Sequence, residues 1–143
     1  MQTRREISDL IRATARRDWG SVDQLLAELD RTGWAGGSQM ISAAFAIAVS
    51  RRFHPGQDVR DIARFVADTR ARYRDGTKLS ALDMEAMIRA VLGEADLVDD
   101  IAPESAFSAQ LVILGTLLHD EDFSEPQLEE FIRDVEETAA EYM

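Results

Sequence analysis

The chain of 143 residues contains no cysteine. That absence excludes disulfide cross-links and thiolate metal sites, so stability has to come from buried apolar surface. It also fits a reducing, cytoplasmic setting. Proline is scarce, at three residues, while 45% of the chain is hydrophobic and 30% charged. This is the composition of a folded domain, and the length is enough for one domain with a real core. No apolar run reaches the roughly 20 residues that a membrane-spanning helix needs. The start, MQTRREISDLIRATARRDW, lacks the uninterrupted apolar core of a secretory signal. A cytoplasmic protein without membrane contact is therefore expected.

Basic residues are nearly missing from the second half. Residues 79–143 hold only Arg89 and Arg133 against 17 Asp and Glu, a net charge of −15. Residues 1–78 hold 14 Lys and Arg against 10 Asp and Glu, a net of +4. Catalytic signatures are missing as well. There is no serine nucleophile elbow, no HExxH, no phosphate-binding loop and no glycine-rich dinucleotide fingerprint. The two histidines, His54 and His119, each close an apolar run, where a helix C-terminus favours a protonated imidazole. The chain reads as a non-enzyme without a cofactor.

What remains is helical patterning. The most apolar run, AFSAQLVILGTLL at 106–118, is apolar nearly all round and so belongs inside a globule. A second such run, SQMISAAFAIAVSRRF, covers 38–53. These two predict buried central helices over 38–53 and 104–118, the latter with Pro103 in its first turn. Amphipathic segments surround them. Residues 3–19 carry Ile7, Leu10, Ile11 and Thr14 on a narrow stripe, which predicts partial burial. Gly20 should then break the chain, and Ser21-Val22-Asp23-Gln24 should cap a helix over 22–32 that stops at Gly33. Trp34, beside two glycines, is expected to close the core from the side. Residues 58–74 place Val59, Ile62, Phe65, Val66, Thr69 and Tyr73 on one face. Their other face gathers Arg60, Arg64, Arg70 and Arg74. Residues 79–92 supply Leu82, Met84, Met87, Ile88, Val91 and Leu92, and 93–101 reads as a short helical turn. The fold class is all-α, a single domain of about seven helices.

An internal echo runs through this pattern. Aligning His54 with His119 pairs AFAIAVSRRFH with AQLVILGTLLH. One extra loop residue then pairs Phe65-Val66 with Phe131-Ile132. Each half reads as a feeder helix, a buried helix, a short loop and an outer amphipathic helix.

The stretch HDEDFSEPQLEE at 119–130 crowds Asp120, Glu121 and Asp122 ahead of a helix. Hard cations take oxygen ligands, but as a calcium loop this stretch has Glu125 where glycine is needed and Phe131 where glutamate is needed. Acidic residues before a helix also complement its dipole, and Ser124-Glu125-Pro126-Gln127 is a capping box. An apolar helix running into DEDFSEPQLEEFI resembles the hairpin of TerB-like (tellurite-resistance B) domains over residues 109–135, with a fainter counterpart at 44–66. The resemblance implies a small acidic all-α domain of two similar halves. It further implies a divalent-cation role for Asp120 and Asp122, because some members bind metal through acidic residues. The chain departs from that family in having Asp-Glu-Asp where Asp-Gly is usual, and in lacking the acidic cluster in its first loop.

The charge split bears on partners rather than on fold. With a sequence pI near 4.5, the acidic half would repel nucleic acid, whose binding rests on phosphate neutralisation. The expected function is a non-enzymatic interaction module, of the immunity or adaptor kind, docking a basic protein partner. Its contacts would be Glu129, Glu130, Asp134, Glu137 and Glu141 on the last helix, 126–142. The basic arc of Arg60, Arg64 and Arg74 should lie on the far side of the domain. Its charge would then meet other molecules, a second copy of the chain included. The alternative is a metal-binding stress-response domain using Asp120 and Asp122.

Overall fold

The two runs without a polar face become helices that lie side by side at the centre. The computed structural model describes residues 2–33, 37–72 and 80–141. Trp34, Tyr73, Arg74 and Tyr142, singled out in the sequence, fall outside them. Among the described residues there are seven α-helices and no strand: α1 (Gln2–Ala15), α2 (Trp19–Thr32), α3 (Gly37–Arg52), α4 (Val59–Arg72), α5 (Ala81–Val91), α6 (Pro103–Glu121) and α7 (Glu125–Glu141). A 3-10 turn, Ala95–Val98, sits between α5 and α6.

The central pair is α3 and α6, packed along each other with their C-terminal ends together. Met40, Ile41, Ala44, Phe45 and Val49 of α3 are buried, as is every residue of α6 from Ile113 to Leu118. A helix sealed on all sides needs partners on all sides, and the outer helices supply them. Helix α7 lies against α3, and α4 lies against α6, so each half's outer helix covers the other half's central helix. Exchanging α1 with α5, α2 with the 3-10 turn, α3 with α6 and α4 with α7 reproduces every substantial packing in the structure. The echo in the sequence is therefore an echo in the architecture. The feeder helix of the first half is α1, and α2 packs mainly on α1, with the Trp19 ring reaching Gly115 of α6.

Helix α1 is buried more deeply than its narrow stripe predicts. Ile7, Leu10, Ile11 and Thr14 are all fully covered, and Glu6 and Ser8 are buried too. The reason is its position: α2, α3, α6 and α7 all press on it. The helix ends at Ala15, earlier than expected. Arg17 then turns the chain with a left-handed φ of 55°, and Asp18 caps α2. The Asp18 carboxylate accepts from the Ser21 backbone N–H at 3.3 Å and from its hydroxyl at 2.7 Å. Asp18 thus takes the capping role expected of Ser21, and Gly20 falls inside α2 instead of breaking the chain. The bond holds the Asp18 carboxyl below its usual range. Gly33 ends α2 as expected, at φ 102°.

Two positions expected in the core are exposed. Leu82 is 76% exposed, because at 100° per residue it lies about 200° from Met84 around α5. Val59 is 46% exposed. It shares the stripe of Ile62 but opens α4, ahead of the turns that Ile62 and Phe65 bury.

Gly115 sets the distance between α1 and α6. A Cβ there would meet the Thr14 methyl at 3.0 Å, the Trp19 ring at 3.3 Å and the Thr14 carbonyl at 3.4 Å. Overpacking costs about 1–3 kcal/mol, which exceeds the roughly 1 kcal/mol of helix propensity that alanine gains over glycine. Gly115→Ala should therefore lower the unfolding free energy in denaturant titration, whereas an exposed helical glycine would show the opposite sign. Leu114 beside it is fully buried. Leu114→Ala should cost about 2–5 kcal/mol through lost burial and a cavity, read in the same titration.

Candidate functional site

Helix α7 is started by the capping box seen in the sequence. The Gln127 backbone N–H donates to the Ser124 hydroxyl at 3.3 Å, and the Ser124 N–H donates to the Gln127 side-chain oxygen at 2.9 Å. Leu128, Phe131, Ile132, Val135 and Ala139 then face the core. The helix therefore shows solvent an acidic surface, and that surface has two differently used edges.

The edge toward α1 is occupied. Arg12 grips Glu129 with two charge-assisted bonds, Nε to Oε2 at 2.7 Å and Nη2 to Oε1 at 2.6 Å. Arg16 reaches Glu125 at 2.7 Å, and the Ser8 hydroxyl donates to Glu136. The Arg12 hydrogen bonds hold the Glu129 carboxyl below its usual range. Glu129 is thus half-buried and committed to α1, not available as the partner contact expected of it.

The outer edge is different. Glu130, Asp134, Glu137 and Glu141 follow one another at i, i+4, i+7 and i+11, which makes a single stripe. All four are exposed, and none forms an ion pair among the described residues. Arg51, near the start of the stripe, feels the fields of Asp134 and Glu130 while bonded to Glu121.

The basic arc does not form as a free patch. The Arg60 guanidinium returns to Asp58 at 3.1 Å, and Arg64 lies 3.7 Å from Asp61 on the same helix. Arg74 lies outside the described residues. The cations that reach the acidic half are others: Arg12, Arg16, Arg51 and Arg72. Arg51 binds both oxygens of Glu121 at 3.0 Å or less, and Arg72 holds Asp120 at 2.7 Å. So the two halves do exchange charge within one molecule, contrary to the expectation drawn from the outer helices alone. The outer helices α4 and α7 do lie against different central helices. The crossing is made by α1, by the end of α3 and by the last residue of α4.

The acidic loop is shaped by the same pairing. Asp120 faces Arg72, Glu121 faces Arg51, and Asp122 ends α6 in a left-handed conformation with φ 50°. Among the described residues no three His, Asp or Glu side chains converge as a metal-holding group. No described helix is long and apolar enough to cross a membrane.

Beside this loop, where α3 and α6 end together, is a cleft of about 140 Å³. Its floor is Ala48, Leu117 and Leu118, and its rim is Arg51, Arg52, Asp120 and Glu121. Three arginine–aromatic contacts flank it. Arg51 lies over Phe123 at 5.4 Å, and Arg52 over Phe53 at 4.9 Å and Phe65 at 6.0 Å. Phe53 and Phe65 meet edge to face at 5.4 Å. In the sequence, Arg51-Arg52 reads only as a helix-ending pair; the apolar run before it and the phenylalanine after it were the available signal. No family model matches the chain, and no curated protein or solved structure matches it.

The Arg12–Glu129 pair yields a pH-dependent stability. Glu129 ionises more readily folded than unfolded, so its contribution is complete above the unfolded value of about 4.3. It is lost as pH falls through the depressed folded value. With the glutamate side chain 44% exposed, screening limits the effect to about 0.5–1 kcal/mol. Glu129→Gln should therefore be less stable than the parent at neutral pH, and the two melting curves should converge as the solution is acidified below about pH 4.

Proposed function

We propose that the protein is a non-enzymatic helical interaction module whose outer α7 stripe docks a basic protein partner. The observation that carries this reading is the division of labour on α7. Glu125 and Glu129 are neutralised by the chain's own arginines, whereas Glu130, Asp134, Glu137 and Glu141 are exposed and left over. Side chains that only needed solvation would not have to fall on one line. Four carboxylates on a single stripe present a spaced row that lysines or arginines on a facing helix or strand can meet. Such a field steers encounter and sets register more than it adds raw affinity. A second copy of this chain is a poorer fit for the stripe, because the exposed arginines of α4 sit beside Asp58, Asp61 and Asp68.

The stripe sits on a rigid support, since the opposite face of α7 is anchored in the core by Phe131, Ile132 and Val135. Docking there requires no refolding of the module. Long-range attraction of this kind is screened beyond about 8 Å at physiological salt, so affinity should depend on ionic strength.

The reading is tested by cross-linking the protein to its partners in the native cell, then reconstituting the captured pair. The affinity should weaken about tenfold or more between roughly 50 and 500 mM salt, as screening of exposed charges requires. It should be lost in a variant carrying Glu130→Gln, Asp134→Asn, Glu137→Gln and Glu141→Gln, whose melting temperature stays that of the parent. A partner held equally by that variant, or insensitive to salt, contradicts the proposal.

A further inference from the structure

Arg52 stands apart from the other arginines at the end of the central pair. Arg51 is bonded to Glu121 and Arg72 to Asp120. Arg52 forms no hydrogen bond or ion pair among the described residues, and its contacts are the faces of Phe53 and Phe65. Those rings hold the guanidinium in place through cation–π attraction, which works within about 6 Å of a ring centre. They leave its N–H groups without acceptors. The rim itself carries two guanidinium groups and two carboxylates. Because Asp120 is paired by Arg72 from outside the rim and Glu121 by Arg51, Arg52 is left as a surplus cation. The cation that carries the surplus is on the rim of a small cleft with an apolar floor.

From this we infer that the cleft at the C-terminal ends of α3 and α6 binds a short-chain monocarboxylate, its carboxylate on Arg52 and its alkyl chain on Ala48, Leu117 and Leu118. Each feature of the ligand follows from one feature of the site. A planar guanidinium with free N–H groups pairs in two-pronged fashion with a planar carboxylate. One surplus charge takes one negative charge, and the Asp120 and Glu121 carboxylates repel a second, which disfavours phosphate. Farther out, Glu130 and Asp134 add to that repulsion through their field at Arg51. The floor side chains are each no more than 3% exposed, so they offer a firm apolar surface and not a polar one. The cleft is small, about 140 Å³, which suits a chain of a few carbons. The inference is independent of the α7 stripe, since it concerns another surface and another class of ligand.

The test is a titration at fixed ionic strength, followed by backbone amide NMR, with acetate, propionate, butyrate, butyramide and inorganic phosphate as probes. Butyrate should bind saturably and shift the amides of Ala48, Arg52, Leu117 and Leu118. From acetate to butyrate each methylene should tighten binding, by up to about 4-fold, the factor for fully burying one such group. Butyramide and phosphate should bind at least about tenfold more weakly than butyrate, the factor for losing a charge-assisted hydrogen bond. Arg52→Ala should weaken butyrate by a similar factor, and Arg52→Lys, which keeps a cation over the Phe53 and Phe65 rings, should fall between. Equal binding of butyrate and butyramide, a stronger response to phosphate, shifts confined to other surfaces, or an Arg52→Ala protein that binds butyrate normally would each overturn the inference.

Discussion

Everything in this structure depends on the contact between α3 and α6. Helix α6 is buried all round from Ile113 to Leu118, and α3 leaves a narrow strip of Gln39, Ser42 and Ser50 in water. Two such helices side by side still leave much apolar circumference to be covered. The remaining helices are the cover. Helices α1 and α5 close the pair from two directions, α7 seals α3, and α4 seals α6. The near two-fold arrangement follows from that requirement: two similar central helices with aligned ends demand similar surroundings. Where the halves differ, they differ at the edges. A full helix, α2, leans on α1, while only a 3-10 turn occupies the corresponding place on α5.

The aligned C-termini create a second constraint. Both central helices point the negative ends of their dipoles toward the same pole. Arg51 and Arg52 close α3, while Asp120 and Glu121 close α6, so the pole needs cations beyond those of one helix. Arg51 and Arg72 supply them to the two carboxylates. Arg12 and Arg16 do the same along α7. Four arginines of the first half thus pair with carboxylates of the second, which offsets part of that half's net charge of −15. What this exchange leaves over is informative: an acidic stripe on α7 without ion pairs among the described residues, and one guanidinium on the rim of a cleft.

Much of this architecture is legible in the sequence, because it is written in periodicity. The two all-round apolar runs, the capping box at Ser124, the stop at Gly33, the turn before Pro103 and the echo around the histidines all follow from local rules. The misreadings share a cause. The stripe on α1 looks narrow because Glu6, Ser8 and Ala13 do not count as apolar anchors, yet four neighbouring helices bury them. Asp18 rather than Ser21 caps α2, since one more turn of helix brings Trp19 onto Gly115. Leu82 is apolar but on the wrong side of α5. Of the expected contact residues, Glu130, Asp134, Glu137 and Glu141 are placed as their spacing implies. Glu129 and Asp120 are taken by arginines more than 40 residues away in sequence. No local pattern reveals such long-range pairing.

The central claim, that the α3–α6 pair is the unit on which the rest is laid, is tested most directly by native-state amide hydrogen exchange. Amides in regions that open locally exchange with low protection, while those of the last-to-open core report the global unfolding free energy. The slowest amides should lie in both α3 and α6, with matching free energies that equal the stability from denaturant titration. Those of α2, which packs mainly on α1, should exchange faster by a sub-global route. If the slowest amides fall instead in α2 or α7, or if α3 opens independently of α6, the central pair is not the foundation of this fold.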